Sequence, residues 1–225
     1  MEKHSGRAIR KKVTRLLKED QGSQALEILA TISEDQLAGP LFHHLYHMDE
    51  TIKHRSAVAM AHLVSRLIPH RREKARIIMR RILWNLNDES GGIGWGSPEA
   101  MGAILAQNPE MAEEYRSILF SYLDPGGTYI ENELLQRGLL WGIGTYLKTA
   151  PNTLESSTRN RLYIHLDSPD KIKRAHALRA LVNARILDLK TCPAHLRLDA
   201  AIVPIFQGWA LKEYRISDLI FGLKN

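Results

Sequence analysis

Cysteine is nearly missing from this chain, with Cys192 the single one in 225 residues. No internal disulfide can form, so the fold must rest on packing, as expected of a protein in a reducing cytoplasm. Cys192 itself reads as a small packed residue, since no base is placed near it in sequence. Long apolar runs are missing too. No stretch approaches the roughly 18 apolar residues that cross a bilayer, so membrane insertion is not expected. The first twenty residues are rich in Lys and Arg and lack the apolar segment of a secretory leader. Strand-like alternation is absent from the first two hundred residues, which excludes a sheet as the main scaffold.

What the chain does have is helical periodicity. Val13, Leu16 and Leu17 mark a first amphipathic helix, and Ala25, Ile28, Leu29 and Ile32 a second. Further helices are predicted over 41–47, 52–67, 77–86, 111–123, 134–147, 154–166 and 172–187. Asp49 is the expected N-cap of the helix that begins at Ile52. Breaks are predicted at Gly39-Pro40, Pro69, residues 91–96, Asn108-Pro109, residues 124–127, Pro151 and Ser168-Pro169. Residues 202–206 and 209–216 read as a β-hairpin turning at Gly208, with Pro204 marking an edge strand and Ser217-Asp218-Leu219 starting a terminal helix. This tail is expected to cap the apolar face of the last helices.

The helices share a phrase. Asp49-Glu-Thr-Ile52-Lys53, followed by Ala57, Ala59, Met60 and Leu63, resembles the HEAT-repeat pattern of a capped second helix with small packing residues. Residues 135–144 and 168–181 follow the same register, and Ala100 to Ile104 matches the end of the phrase. Aligning Lys53, Gly94, Gln136 and Lys173 gives spacings of 41, 42 and 37 residues, as in HEAT-like arrays. Small residues let paired helices approach, and stacked pairs bury a core that no single pair could bury. The predicted fold is therefore all-α: a HEAT-like α-solenoid of stacked antiparallel helix pairs over residues 1–201. Residues 202–225 form the hairpin and helix cap of the same domain.

In that register Gly91-Gly92-Ile93-Gly94-Trp95-Gly96 replaces the first turns of one second helix. The helix is expected to restart at Ser97, as N-cap, with Pro98 at its first position. Taken together, residues 84–102, the Leu45-Tyr46-His47 segment and residues 135–144 resemble a small family of bacterial HEAT-repeat proteins of unknown activity, known chiefly from sulfate-reducing bacteria. That family has no assigned catalytic residue, so the resemblance implies a scaffold and names no chemistry.

The candidate site follows from the interruption. Asn85, Asn87, Asp88 and Glu89 precede the glycines, while Trp95, Ser97 and Glu99 follow. The amides at the restarted helix, Ser97 to Met101, sit at its positive end and could receive an anion, although Asp88, Glu89 and Glu99 carry the wrong sign beside a phosphate. No Lys follows the glycines, so this is no phosphate-binding loop, and no cofactor is expected. Gln136 and Arg137 lie on the adjoining helix, with Arg137 expected to pair with an acid in a partner or with Glu99 internally. His47 directly precedes the Asp49 cap. His43 and His47 are one turn apart, yet a zinc site needs a further ligand that spacing does not fix, and the acids with Glu131 and Glu133 match no cation loop. No metal is expected. Trp84 and Trp141 read as core, and Trp95 as the tryptophan open to a ligand.

These residues point to a non-enzymatic binding or scaffold module that recognises a protein or peptide partner. The net charge of +6 keeps nucleic acid as the alternative partner. Its basis is three basic clusters, at residues 3–18, 71–81 and 171–179. A DNA glycosylase of HEAT-like type would need, in addition, an exposed carboxylate and tryptophans along a basic groove.

Overall fold

A computed structural model describes residues 6–87 and 94–223, and the chain in it is mostly helical. The helices are α1 (Gly6–Lys18), α2 (Gly22–Ala30), α3 (Glu34–Leu45), α4 (Glu50–Asn87), α5 (Ser97–Gln107), α6 (Pro109–Ser121), α7 (Glu133–Thr149), α8 (Ser156–His165), α9 (Lys171–Asn183) and the single turn α10 (Ala194–Arg197). Strands β1 (Ile202–Gln207) and β2 (Ala210–Arg215) form a two-stranded antiparallel sheet, followed by a 3-10 turn at Ile216–Phe221. Among the described residues no helix is long and apolar enough to cross a membrane.

Capping side chains fix where the helices begin. Asp49 Oδ1 accepts from the N–H of Thr51 at 2.8 Å and of Ile52 at 3.3 Å, and so opens α4 as predicted. Asn132 does the same for α7 and Asp170 for α9. Other boundaries depart from the sequence reading. Helix α3 runs straight through Pro40, which was expected to break it. The preceding residue is Gly39, which has no Cβ to meet the proline ring, so the usual steric penalty before proline is relieved. The predicted break at Pro69 falls instead at Arg71, whose φ of −143° and ψ of 44° interrupt an otherwise continuous α4. The cap of α5 is Gly96, not Ser97: its φ of 71° is a left-handed conformation that serine rarely adopts, and Ser97 becomes the first helical residue.

Helices α4, α5, α7 and α9 pack one against the next in that order, with α3 on α4, α6 on α5 and α7, and α8 on α9. The α5–α7 contact is a close one. A Cβ on Gly102 would fall inside contact distance of the Gly142 backbone, and one on Gly142 would lie 2.7 Å from the Pro98 carbonyl oxygen. The helices therefore touch backbone to backbone. Leu139, Leu140, Ile143, Met101 and Ile104 fill the space on either side and are fully buried.

The hairpin pairs Gln207 with Ala210 and turns through Gly208, at a φ of 55°. Val203 and Ile205 point inward and Pro204 outward, the alternation of a strand with one buried face. The 3-10 turn after it packs on α9, in line with a terminal cap. The hairpin itself reaches further than expected. Trp209 Nε1 donates to the Glu19 carbonyl at 2.7 Å, and Arg55 Nε donates to the Trp209 carbonyl at 3.0 Å. Arg55 also binds the Leu17 and Glu19 carbonyls, so it ties hairpin, α4 and the α1–α2 junction together. Trp141 Nε1 donates to the Phe206 carbonyl at 3.1 Å. The tail is thus a strap from α9 back to the first helices.

If backbone contact between α5 and α7 is required, Gly102→Val lowers the unfolding free energy by about 1–3 kcal/mol in a denaturant titration. Gly6→Ala, whose added Cβ meets nothing within 4 Å, should change it by less than about 0.5 kcal/mol. Equal effects of the two substitutions would contradict the packing argument.

Candidate functional site

The first turns of α4, α5, α7 and α9 line a single cleft of about 550 Å³, closed along one side by β1 and β2. Glu50, Lys53 and His54 come from α4, Glu99 from α5, Arg137, Gly138 and Trp141 from α7, and Ile172 and His176 from α9. Tyr46, His47 and Met48 form the rim at the α3–α4 turn, while Phe206 and Leu211 come from the hairpin. Most of these side chains are apolar or aromatic, and the volume is that of a small-ligand or side-chain pocket.

The charged groups are mostly paired. Lys53 Nζ donates to Glu50 Oε1 at 2.7 Å, and Arg137 Nε donates to Asp170 Oδ2 at 2.6 Å. Asp170 is held below the usual carboxylate range by hydrogen bonds from Arg137 and from the amides it caps, which outweigh the effect of its burial. Glu99 is different. Among the described residues its buried Oε2 has no hydrogen-bond partner, and burial raises its pKa against the opposing pull of Lys53 and of its own backbone N–H. Its carboxyl sits where α7 has no side chain, since a Cβ on Gly138 would lie 2.5 Å from Glu99 Cδ.

Two histidines on the cleft are also incompletely bonded. His54 is 4% exposed, stacks on Phe206 at 3.9 Å between ring centres, and meets Trp141 edge-on at 4.2 Å. His176 is 5% exposed. His54 Nε2 and His176 Nδ1 have no hydrogen-bond partner among the described residues. Burial, reinforced by the nearby Arg179 charge, lowers both pKa values, that of His176 to about 3. Arg179 is itself buried and donates to the Trp141 carbonyl at 2.7 Å and to Thr145 Oγ1 at 2.6 Å. Burial lowers its pKa to about 9, and among the described residues no carboxylate pairs with it. A cation behind the cleft wall thus favours neutral imidazoles in front of it.

The structure brings together Trp95, Glu99, Arg137 and His47 of the sequence-predicted residues, all on this cleft. Asn85 and Asn87 lie at the end of α4, and Asp88 and Glu89 lie outside the described residues. Ser97 is fully buried and unavailable to a partner. Gln136 is buried as well, donating to Tyr129 Oη and the Ile130 carbonyl and accepting from Lys173 Nζ at 2.9 Å. Arg137 pairs with Asp170 rather than with Glu99, because the cap of α9 is the carboxylate within reach. The open helix end suggested for an anion is met by Glu99, which faces its own amide. His47 Nδ1 accepts from the Asp49 N–H at 3.0 Å, whereas His44 is fixed between Thr14 Oγ1 and the Pro40 carbonyl. Among the described residues no cluster of three or more His, Cys, Asp or Glu is placed to hold a metal ion. Trp141 is core as expected, but Trp84 is 72% exposed on α4 and does not line the cleft.

His54, Lys53, Gly138 and His176 were not singled out as site residues by sequence. A signal existed for one of them. His54, Trp95 and Arg137 each follow a register position by one residue, and Glu99 and Trp141 follow by five. Equivalent register positions therefore supply much of the cleft, Trp95 from the turn before α5 and the others from helices.

The basic clusters differ in how far they are neutralised. Arg71, Arg72, Arg76 and Arg80 all pair with Glu34, Asp35, Glu73, Glu110 or Glu114. In the third cluster Lys173 pairs with Glu133, Arg174 with Asp199, and Arg179 is buried. Along α1, Arg7, Arg10, Lys11, Lys12 and Lys18 are exposed, with Arg15 near Glu19 at 4.0 Å.

No family model matches the chain. An Archaeoglobus fulgidus protein described as uncharacterized is 27% identical over 180 residues, which cover 78% of this chain and 89% of that one. The likeness extends over most of both proteins and brings no assigned activity with it.

The histidines make stability depend on pH. Unfolded, His176 protonates near its ordinary 6.5; folded, it stays neutral down to about 3. Between those values the unfolded chain binds the extra proton, so stability is full above 6.5 and falls as the pH drops through this window. His176→Asn should reduce the slope of unfolding free energy against pH by up to about 1.4 kcal/mol per unit between pH 6 and 4. An unchanged slope would show that His176 titrates normally in the folded protein.

Proposed function

We propose that this chain is a HEAT-like α-solenoid acting in the cytoplasm as a non-enzymatic binding module, with a protein or peptide partner seated in the cleft. Residues equivalent in the repeat register meet, which supports the solenoid reading: Lys173 Nζ donates to Gln136 Oε1, and Arg137 binds the Asp170 cap one unit on. The observation that carries the binding reading is the cleft itself. It joins aromatic and aliphatic walls to three buried polar atoms without partners, on Glu99, His54 and His176. Buried polar groups in folded proteins are almost always satisfied. Among the described residues five further unsatisfied atoms lie on Arg66, Ser97, Tyr122, Arg179 and Gln207, but in the cleft three come together on one surface that an incoming backbone or side chain would cover. Trp95, half-buried at the mouth, supplies apolar area at low conformational cost.

Burial of the Glu99 carboxyl sets the cleft apart from a site with an exposed catalytic carboxylate. The nucleic-acid alternative draws its support from α1, whose cations are exposed and largely free of internal acids. Its test is association with duplex and single-stranded DNA across a salt series; absent or salt-insensitive association removes it.

For the peptide reading, wild-type protein should retain a related set of sequences from a displayed random-peptide library. Trp95→Ala, folded with an unchanged unfolding midpoint, should bind them at least about tenfold more weakly. Equal retention by both proteins would take Trp95 and its cleft out of the interface.

A further inference from the structure

Three places on the molecule invite a ligand. An open pocket beside α1 and α3 carries Arg10 and Arg81, but its polar groups are solvated and Arg81 already lies over the Phe42 ring at 4.0 Å. Exposed Trp84 has nothing on α4 to indicate what would cover it. The cleft is the built site, and its charge pattern selects among partners.

We infer that the cleft receives the ε-ammonium of a lysine side chain from the peptide partner, with the Glu99 carboxylate as its anchor; this rests on the peptide-binding reading above. Among the groups that line the cleft the charges pair off except for one, while the unpaired Arg179 lies behind the wall. Lys53 is held by Glu50 and Arg137 by Asp170, which leaves Glu99 as the carboxylate with an unpartnered oxygen. An ionised carboxylate in an apolar surround is costly until a cation and a hydrogen-bond donor meet it, and an ammonium group supplies both. An acidic side chain would instead be repelled.

Geometry favours lysine over arginine. A guanidinium binds a carboxylate best through two parallel bonds, which needs two free oxygens on an accessible edge. Glu99 Oε2 is shut off from solvent, and both carboxylate oxygens lie against the bare Gly138 surface of α7, so the group does not present two free oxygens to the cleft. A compact ammonium on an aliphatic stem suits a carboxylate that is packed on one side and reached past apolar walls. Trp95 and Phe206 are among those walls and would cover the methylene stem. His54 Nε2 and His176 Nδ1 remain for the peptide's own polar groups, and as neutral rings they add no repulsion to the incoming cation.

The test uses heptapeptide libraries, randomised at six positions and fixed at the centre as lysine, acetyl-lysine, norleucine, arginine or glutamate. Binding to full-length protein is compared across the five. The lysine library should be retained at least about tenfold better than the norleucine, acetyl-lysine and glutamate libraries, and better than arginine. Glu99→Gln, checked for folding, should erase that preference. Acetyl-lysine removes the charge from the ligand side, so the inference stays testable if Glu99→Gln does not fold. Retention of all libraries without a lysine preference would overturn the lysine inference and leave the peptide reading standing. Failure of every library would overturn both. n-Butylammonium chloride is the control for a free amine. If it binds as tightly as the best lysine peptide, the cation comes from a small amine and not from a partner's lysine, which also overturns the inference.

Discussion

The backbone contact between α5 and α7 is the constraint on which the cleft depends. Gly102 and Gly142 have no side chains to hold the helices apart, so Pro98 and the first turn of α5 settle onto α7. Four residues before Gly142, Gly138 again lacks a side chain, and the Glu99 carboxyl occupies that space. Any larger residue at these positions would separate the helices or displace the carboxyl. On the same face of α7, Arg137 and Trp141 point toward the neighbouring helices. One close crossing therefore fixes the acid, the tryptophan wall and the arginine that caps the next helix.

The electrostatics of the cleft work against stability in the unliganded protein. Arg179 is buried without a carboxylate, two histidines are kept neutral, and Glu99 lacks a partner on one oxygen. Each carries a desolvation cost that an apolar residue of similar volume would avoid. Three such costs meet in one concave place beside a well-packed core, and this is the physical support for the binding site proposed there. The hairpin strap strengthens this view. By tying Phe206 to Trp141 and Trp209 to Glu19, it walls the cleft with residues far apart in sequence.

Much of the helical layout was legible in the sequence because its causes are local. Periodic apolar residues marked most helices, and the Asp49 and Asp170 caps and the Gly208 turn fall where short-range chemistry places them. Gln136 and Lys173, aligned by the sequence as equivalent positions, are joined by a hydrogen bond. What was missed depends on contacts distant in sequence or on backbone detail. Nothing local says that Arg137 finds Asp170, that Gln136 is spent on Tyr129 and Ile130, or that the tail returns to Glu19. Ser97 looked like a cap by residue type, but the left-handed turn at Gly96 takes that position. Trp84 looked buried by its helical placement, yet among the described residues none covers that face of α4 and its side chain is exposed. Two of the cleft's polar residues, His54 and His176, are not marked by any local pattern, because α4 and α9 share one surface with α7 only in the fold.

The account turns on Glu99 being driven into an apolar space that Gly138 leaves open. A carbon-13 NMR titration of the glutamate side-chain carboxyls measures this directly in the unliganded protein. Glu99 should titrate above the ordinary value of 4.5, and Gly138→Ala, which pushes the carboxyl out, should bring it back toward that value. A Glu99 midpoint at or below 4.5 in the wild-type protein, unmoved by Gly138→Ala, would contradict the account.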